Sequence, residues 1–342
     1  MVSCTIIIED KRFLNNLWFS VDPKIIRDNQ NLCYFELKEY LFKNNIDLST
    51  EDINSYKNSK LVIFIDVPRK KKYVKNSSQV WFVILNEAPC AYHKNWDKRY
   101  HAQFDRIFTW DESYVDDINY FKIRLAYNLN YNDYNNNFSD RRLITMISGA
   151  KSSNYPGAIY NKRYDLVKWF CKNYPNEFDL YGIGWPKKLR PIFFSLIENK
   201  FPEILKKFVE IFYKKNSVYK GKIDNKREVL SKYKFSICFE NMDNKMGFVT
   251  EKIFDSMCSG CIPVYLGATN IQDLIPSGCY IDARIFNSYN LLYNYIQNIT
   301  EEEFNNYQRN IKEFLKSVSG EKFTAEFFAK QIGNKIIEVL NN

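Results

Sequence analysis

Between residues 235 and 267 the chain reads FSICFENMDNKMGFVTEKIFDSMCSGCIPVYLG, and its reactive-looking side chains gather in the polar middle of that stretch. Glu240 and Asn241 close one apolar run, and Thr250, Glu251 and Lys252 open the next. A helix capped at Thr250 would offer free N–H groups and the positive end of its dipole to an anion. Lys252 adds a full charge at the same place, so the chemistry indicated is the binding of a phosphate or diphosphate. A cation in a first helical turn opposes the dipole by up to ~1 kcal/mol, so a compensating anion is expected there. The plainer alternatives are a solvated lysine at 252 and a dipole-complementing surface carboxylate at 251.

Three elements must position these groups. Residues 235–239 are a short apolar run of the kind that fills a buried parallel strand. Ile253, Phe254, Met257 and Cys258 give the following helix an apolar face, Gly260 stops it, and residues 262–266 return as a strand. In parallel sheets ligands bind beyond the carboxyl ends of the strands, which is where the polar loop falls.

The runs Phe239-Glu240-Asn241, Phe248-Val249-Thr250-Glu251-Lys252 and Ile262-Pro263-Val264-Tyr265-Leu266-Gly267 resemble the signature of glycosyltransferase family 10, the α-1,3/4-fucosyltransferases. The likeness is closest to soluble bacterial-type members, in segments such as FDRIFTWDESYVDD (104–117) and FDLYGIGW (178–185). It implies a GT-B fold, with two Rossmann-like domains facing across a cleft, and L-fucose transferred with inversion from GDP-fucose. The implied acceptor is an N-acetylglucosamine- or glucose-containing glycan, free or lipid-linked, within glycan biosynthesis. For the residues it implies Lys252 on the diphosphate and Glu251 on the ribose hydroxyls, where a carboxylate supplies two acceptor oxygens.

Arg163, in the run Tyr160-Asn161-Lys162-Arg163-Tyr164, is the second cation candidate. The family has an arginine in a similar place that contacts the diphosphate, and a planar guanidinium suits bidentate phosphate binding. An exposed helical arginine is the alternative. Asn241 is expected to orient the donor and Phe248 to line the nucleotide pocket, against an ordinary loop amide and a core aromatic. The base should come from the other domain. Residues 80–85 read as a buried strand ending in Asn86-Glu87-Ala88-Pro89, which puts Glu87 at a strand's carboxyl end. The family's soluble members carry a Glu in a similar context, proposed as general base; a turn glutamate is the alternative. An inverting transfer needs one such carboxylate, whereas glycoside hydrolases use a pair.

No Asp-x-Asp occurs in the chain, and His93 and His101 are its only histidines. Metal-independent charge stabilisation by Lys or Arg and helix termini is therefore expected, with no cofactor. Gly182-Ile183-Gly184 begins like a dinucleotide fingerprint, but Lys187 holds the third glycine position, which disfavours a dehydrogenase. Cys258 and Cys261 have C-x-x-C spacing without a second pair, and a structural role is expected over redox or zinc binding.

The 342 residues suffice for two domains of roughly 150 each, and 45% hydrophobic with 17% aromatic content fills two cores. A net charge of +9 indicates an anionic partner, whether nucleotide, nucleic acid or membrane surface. Residues 1–10 lack the pattern of a signal peptide and no run approaches ~18 apolar residues. The family's animal members carry an N-terminal anchor, so a cytoplasmic protein is expected, with peripheral membrane contact as an open reading.

Strand-like and helical runs alternate through both halves, as parallel α/β units do. The expected plan is an acceptor-side Rossmann-like domain over 1–127, a linker over 128–142, a nucleotide-sugar-binding domain over 143–322 and a terminal helix over 323–342. Residues 186–219 read as an insertion relative to the family, with a basic amphipathic helix that either packs on its domain or meets a membrane. Two rivals stay open: the same mechanism with another nucleotide-sugar, and a non-catalytic nucleic-acid or glycan-binding module. The second predicts dispersed basic stripes and stacking aromatics rather than chemistry concentrated at strand ends.

Overall fold

A computed structural model describes residues 1–26, 30–134, 136–189 and 218–341, Lys187 without its side chain. Among these, two six-stranded sheets form, every pairing in both being parallel. The first contains β1 (Val2–Ile7), β2 (Ile46–Thr50), β3 (Leu61–Ile65), β4 (Val80–Leu85), β5 (Arg106–Thr109) and β6 (Tyr120–Lys122), in the order β2-β1-β3-β4-β5-β6. The second contains β7 (Arg142–Ile147), β8 (Phe178–Tyr181), β9 (Tyr219–Gly221), β10 (Tyr233–Phe239), β11 (Ile262–Leu266) and β12 (Ile281–Asp282), in the order β12-β11-β10-β7-β8-β9. Central strands such as LVIFI and VWFVIL are buried along almost their whole length, because helices or loops cover both faces.

In the second sheet the chain winds outward from β7 in both directions, so the strand order reverses between β7 and β10. A crevice opens at such a reversal, beyond the carboxyl ends of the two strands. The Phe-Glu-Asn run ends β10, so the sequence motif falls at this point.

The chain passes between the two halves twice. At the first passage the residues read as a linker are tied down: Asn132 N donates to Cys258 O at 2.9 Å, and Arg227 donates to the carbonyls of Asn128 and Asn130. At the second, the helix Ala325–Asn341 crosses back and buries Phe328, Ala329, Ile332 and Ile336 in the core of the first sheet. It lies against helix Leu32–Phe42 so closely that a Cβ on Gly333 would come 2.4 Å from the Tyr40 ring. The expected insertion over 186–219 lies almost entirely outside the described residues.

Candidate active site

Glu240 is the hub of the β10 end. Its carboxylate is wholly buried and accepts three bonds: from Thr250 N at 2.7 Å, Thr250 Oγ1 at 2.6 Å and Lys252 Nζ at 3.1 Å. Thr250 does stand at the N-cap of helix Glu251–Cys258, but its hydroxyl is spent on Glu240 and makes no cap bond. The helix start thus keeps its N–H groups clear of a side-chain cap, and Lys252 is turned back toward the strand end. The Lys252 ammonium also donates to Thr250 Oγ1 at 2.7 Å and lies 3.6 Å from Glu251 Oε1. Burial pulls its pKa down, but the carboxylates of Glu240 and Glu251 outweigh that and raise it. Glu251, against the upward push of burial, is held down to about 2 by Lys252 and then Lys226. Both groups are charged at neutral pH, and the expected compensating anions for Lys252 are these two carboxylates.

Arg163 is not an exposed helical arginine. It is 4% exposed, and its guanidinium reaches from helix Tyr160–Asn173 to the Phe239 carbonyl, with Nε at 3.0 Å and Nη2 at 2.6 Å. Nη2 also donates to Asn241 Oδ1 at 2.9 Å, while Nη1 makes no such bond among the described residues. Burial lowers its pKa and the charges of Glu240 and Glu251 act the other way, so Arg163 shares one electrostatic environment with the motif. Asn241 therefore orients Arg163 directly. A cavity of ≈ 40 Å³ lies at the helix start, its polar lining including Ser236, Lys226, Glu251, Lys252 and Asp255. A larger one of ≈ 530 Å³ lies away from all of these groups, where the two chain passages meet.

Phe248 requires a correction. Its ring does not line an open pocket: it is 2% exposed and packs on Trp110 of the first domain, with centroids 4.5 Å apart. Met242 joins it in the same core cluster, so the β10–helix loop is inserted into the neighbouring domain. Lys245 Nζ meets the buried Asp111 Oδ2 there at 2.7 Å.

Glu87 is exposed, and its carboxylate has no hydrogen-bond or ion-pair partner among the described residues. Three residues on, Cys90 touches the other half: its thiol lies 3.8 Å from both Tyr160 OH and Asn241 O, and its carbonyl accepts from Ser153 Oγ at 3.1 Å. Tyr160 is buried, which raises its pKa, and the charges of Cys90 and Glu87 push the same way. Tyr160 lies one helical turn from Arg163. Cys258 and Cys261 are buried, their thiols pushed up to about 12 chiefly by burial, as structural cysteines are. Of the basic run 69–72, Arg69 pairs with Glu9 and Lys71 with Glu51.

Two parallel-sheet Rossmann-like halves, with a charged cluster at the strand-order reversal of the second, define the GT-B fold of glycosyltransferases. Solved structures agree on that fold. A crystal structure of an α1,3-fucosyltransferase with GDP superposes with a TM-score of 0.56 at 16% identity, covering 97% of this chain and 88% of that one. Sucrose-phosphate synthase from Thermosynechococcus elongatus superposes at 0.60 with 12% identity over the full length of both. In sequence, residues 199–327 match the family profile described as glycosyltransferase family 10 (fucosyltransferase) C-term. An α-(1,4)-fucosyltransferase of Arabidopsis thaliana is 37% identical over 21% of this chain and 18% of its own length. The α-(1,3)-fucosyltransferase FucT of Helicobacter pylori is 36% identical over 22% of this chain and 16% of its own. These matches span less than a fifth of either relative.

Glu240 and Tyr160 were not singled out in the sequence as site residues, and of the two only Glu240 had a local signal, a carboxylate ending an apolar strand inside the motif.

Proposed function

We propose that the protein is an inverting, metal-independent glycosyltransferase that moves L-fucose from GDP-fucose to a hydroxyl of an N-acetylglucosamine- or glucose-containing glycan. The observation that carries this reading is the charged cluster Arg163–Glu240–Glu251–Lys252 at the β7/β10 reversal, with an unpartnered Glu87 on the facing strand end. In the proposed step Glu87 takes the proton of the acceptor hydroxyl while that oxygen attacks the anomeric carbon. The bond from that carbon to the diphosphate breaks, and GDP departs with its added charge met by Lys252 and Arg163. Attack opposite the β-linked leaving group yields an α-fucoside. Glu251 would hold the ribose hydroxyls, and Asn241 would act by setting the Arg163 fork.

Charge neutralisation by fixed cations is the reason for proposing metal independence. The chain supplies no Asp-x-Asp, and among the described residues no three His, Cys, Asp or Glu side chains group as metal ligands do. Among the described residues no helix is long and apolar enough to cross a membrane. The charged cluster reads the diphosphate better than the sugar, so a donor panel is the first test. GDP release should be fastest from GDP-fucose, unaffected by excess EDTA, and lowered ~10²-fold or more by Glu87→Gln with GDP affinity retained. Faster turnover of another nucleotide-sugar would overturn the donor, dependence on added magnesium or manganese the charge argument, and a fully active Glu87→Gln the base.

A further inference from the structure

The turn that presents Glu87 is fixed from all sides, although its own side chain is free. Asn86 O accepts from the buried Trp110 Nε1 at 3.2 Å, and Glu87 O accepts from Trp96 Nε1 at 2.9 Å. Asn86 Nδ2 donates to Tyr34 OH at 2.7 Å. The two N–H groups of the turn converge on one atom: Asn86 N lies 2.7 Å and Glu87 N 3.2 Å from Asp66 Oδ1. The same oxygen accepts from Asn95 Nδ2 at 2.5 Å, and Asn95, wholly buried, is held by Val67 N on its own Oδ1 at 2.9 Å. Asp66 follows β3, the strand beside β4, with φ at +62°, a left-handed conformation that Asp tolerates better than most residues. A backbone held at both N–H and both C=O groups is what a catalytic group needs to stay aimed without being neutralised by a partner of its own.

We propose that Asp66 is the positioning residue for Glu87: its Oδ1 gathers the N–H groups of Asn86 and Glu87 with the Asn95 amide, and so fixes the turn that aims the Glu87 carboxylate across the crevice. The inference rests on the reading of Glu87 as the base. Every group that Oδ1 meets is a donor, so that oxygen is the turn's common acceptor. Burial, opposed by the Asn86 and Glu87 N–H bonds and aided by the charge of Glu87, raises the Asp66 pKa to about 6. The other titratable groups facing it are the Tyr34 and Tyr92 phenols, both raised by burial and neutral below pH 9.

The test follows GDP release from GDP-fucose at pH 7.5, with N-acetyllactosamine or water as acceptor, alongside hydrogen exchange of the Asn86 and Glu87 amides. In the unaltered protein both amides should exchange slowly. Asp66→Asn keeps an oxygen for the turn, and its kcat should stay within about threefold, with both amides still protected. Asp66→Ala should lose ~10²-fold in kcat, with little change in GDP affinity and with both amides exchanging faster. Normal kcat in Asp66→Ala beside an inactive Glu87→Gln overturns the positioning role and leaves the base assignment standing. A fully active Glu87→Gln overturns the base instead, and amide exchange then still decides whether Asp66 holds the turn.

Discussion

Glu240→Gln isolates the charge on which the proposed donor crevice is built. The substitution keeps the side chain's size, which matters because a Cβ on Gly267 would lie only 2.5 Å from Glu240 Cγ and no larger group fits. It keeps one carbonyl oxygen for Thr250 N, now at 2.7 Å, and turns an amide N–H₂ toward Lys252 Nζ and Thr250 Oγ1. The threonine hydroxyl can rotate to accept; the ammonium cannot. Lys252, with a side chain only 17% exposed, is left with Glu251 at 3.6 Å as its remaining carboxylate partner. A hydrogen bond to a charged group contributes about 1.5–3 kcal/mol, and breaking a buried pair costs about 3–5, so a loss of about 3 kcal/mol is expected. With a urea m-value of about 3 kcal/mol/M this lowers the midpoint by about 1 M, read by tryptophan fluorescence at pH 7.5. GDP sharpens the test. If its phosphates sit against Lys252 they replace the missing counter-charge, and saturating GDP should raise the variant's midpoint more than that of the unaltered protein. A loss under ~1 kcal/mol would refute the hub role of Glu240. Equal stabilisation of both proteins by GDP would refute the placing of the diphosphate at Lys252.

Gly247→Ala meets two obstacles, a φ of +79° and a Cβ 2.2 Å from Trp110 O, so it should lower stability by about 2 kcal/mol or more and loosen the loop from the first domain. Limited proteolysis within 241–250 and the thermal midpoint report it. Lys245→Ala strands Asp111, which is 1% exposed and otherwise bonded to Ser113, and should cost about 2 kcal/mol in chemical denaturation; adding Asp111→Asn should recover most of that. For Asp66 the folded pKa is raised from an ordinary 3.8 to about 6, so its contribution to stability is fully present below pH 4 and lost as the pH rises through 6. Asp66→Asn escapes that loss, and its unfolding free energy above pH 6 should exceed the unaltered protein's by about 2 kcal/mol, the gap closing below pH 4.

What could be read in the sequence divides along physical lines. Central strands announce themselves, because burial on both faces demands an unbroken apolar run: 80–85 and 235–239 correspond to β4 and β10 within two residues at either end. The strands that gave no signal, β2, β6 and β9, all lie at sheet edges. IDLST, YFK and YKG are short and interrupted by polar residues, so nothing marks them apart from loop. In the site, Glu251 and Lys252 were legible because helix start and charge are local features. Arg163 was legible in kind, though not its burial on the Phe239 carbonyl. Phe248 misled because its partner, Trp110, lies far away in sequence, and an aromatic beside a binding motif looks the same whether it meets a ligand or another domain. Asp66 was invisible for a different reason: a left-handed backbone and a carboxylate enclosed by N–H groups are tertiary facts with no spacing to betray them.

The loop over 241–250 explains how the two sides of the proposed donor and base crevice can be kept in register. Its near end is tied to the donor-side helix, Ile159 N donating to Asn241 O at 3.0 Å, and Asn241 Oδ1 receives Arg163. Its middle belongs to the first domain, with Met242 and Phe248 buried among Trp96, Trp110 and Ala88. Those are the tryptophans whose indole N–H groups hold the carbonyls of Asn86 and Glu87. Its far end starts the helix that carries Glu251 and Lys252. One continuous stretch of chain therefore touches the supports of Glu87, the proposed base, and then delivers Glu251 and Lys252, the groups proposed to hold the ribose and the leaving diphosphate. Two domains joined only at their chain passages would leave that distance to domain motion. Here it is set by packed aromatic rings, whose close-packed arrangement resists small displacements more than a solvated linker does. Alignment of attacking oxygen, anomeric carbon and leaving group depends on that distance, so the apolar residues of the motif serve the chemistry as directly as its charged ones.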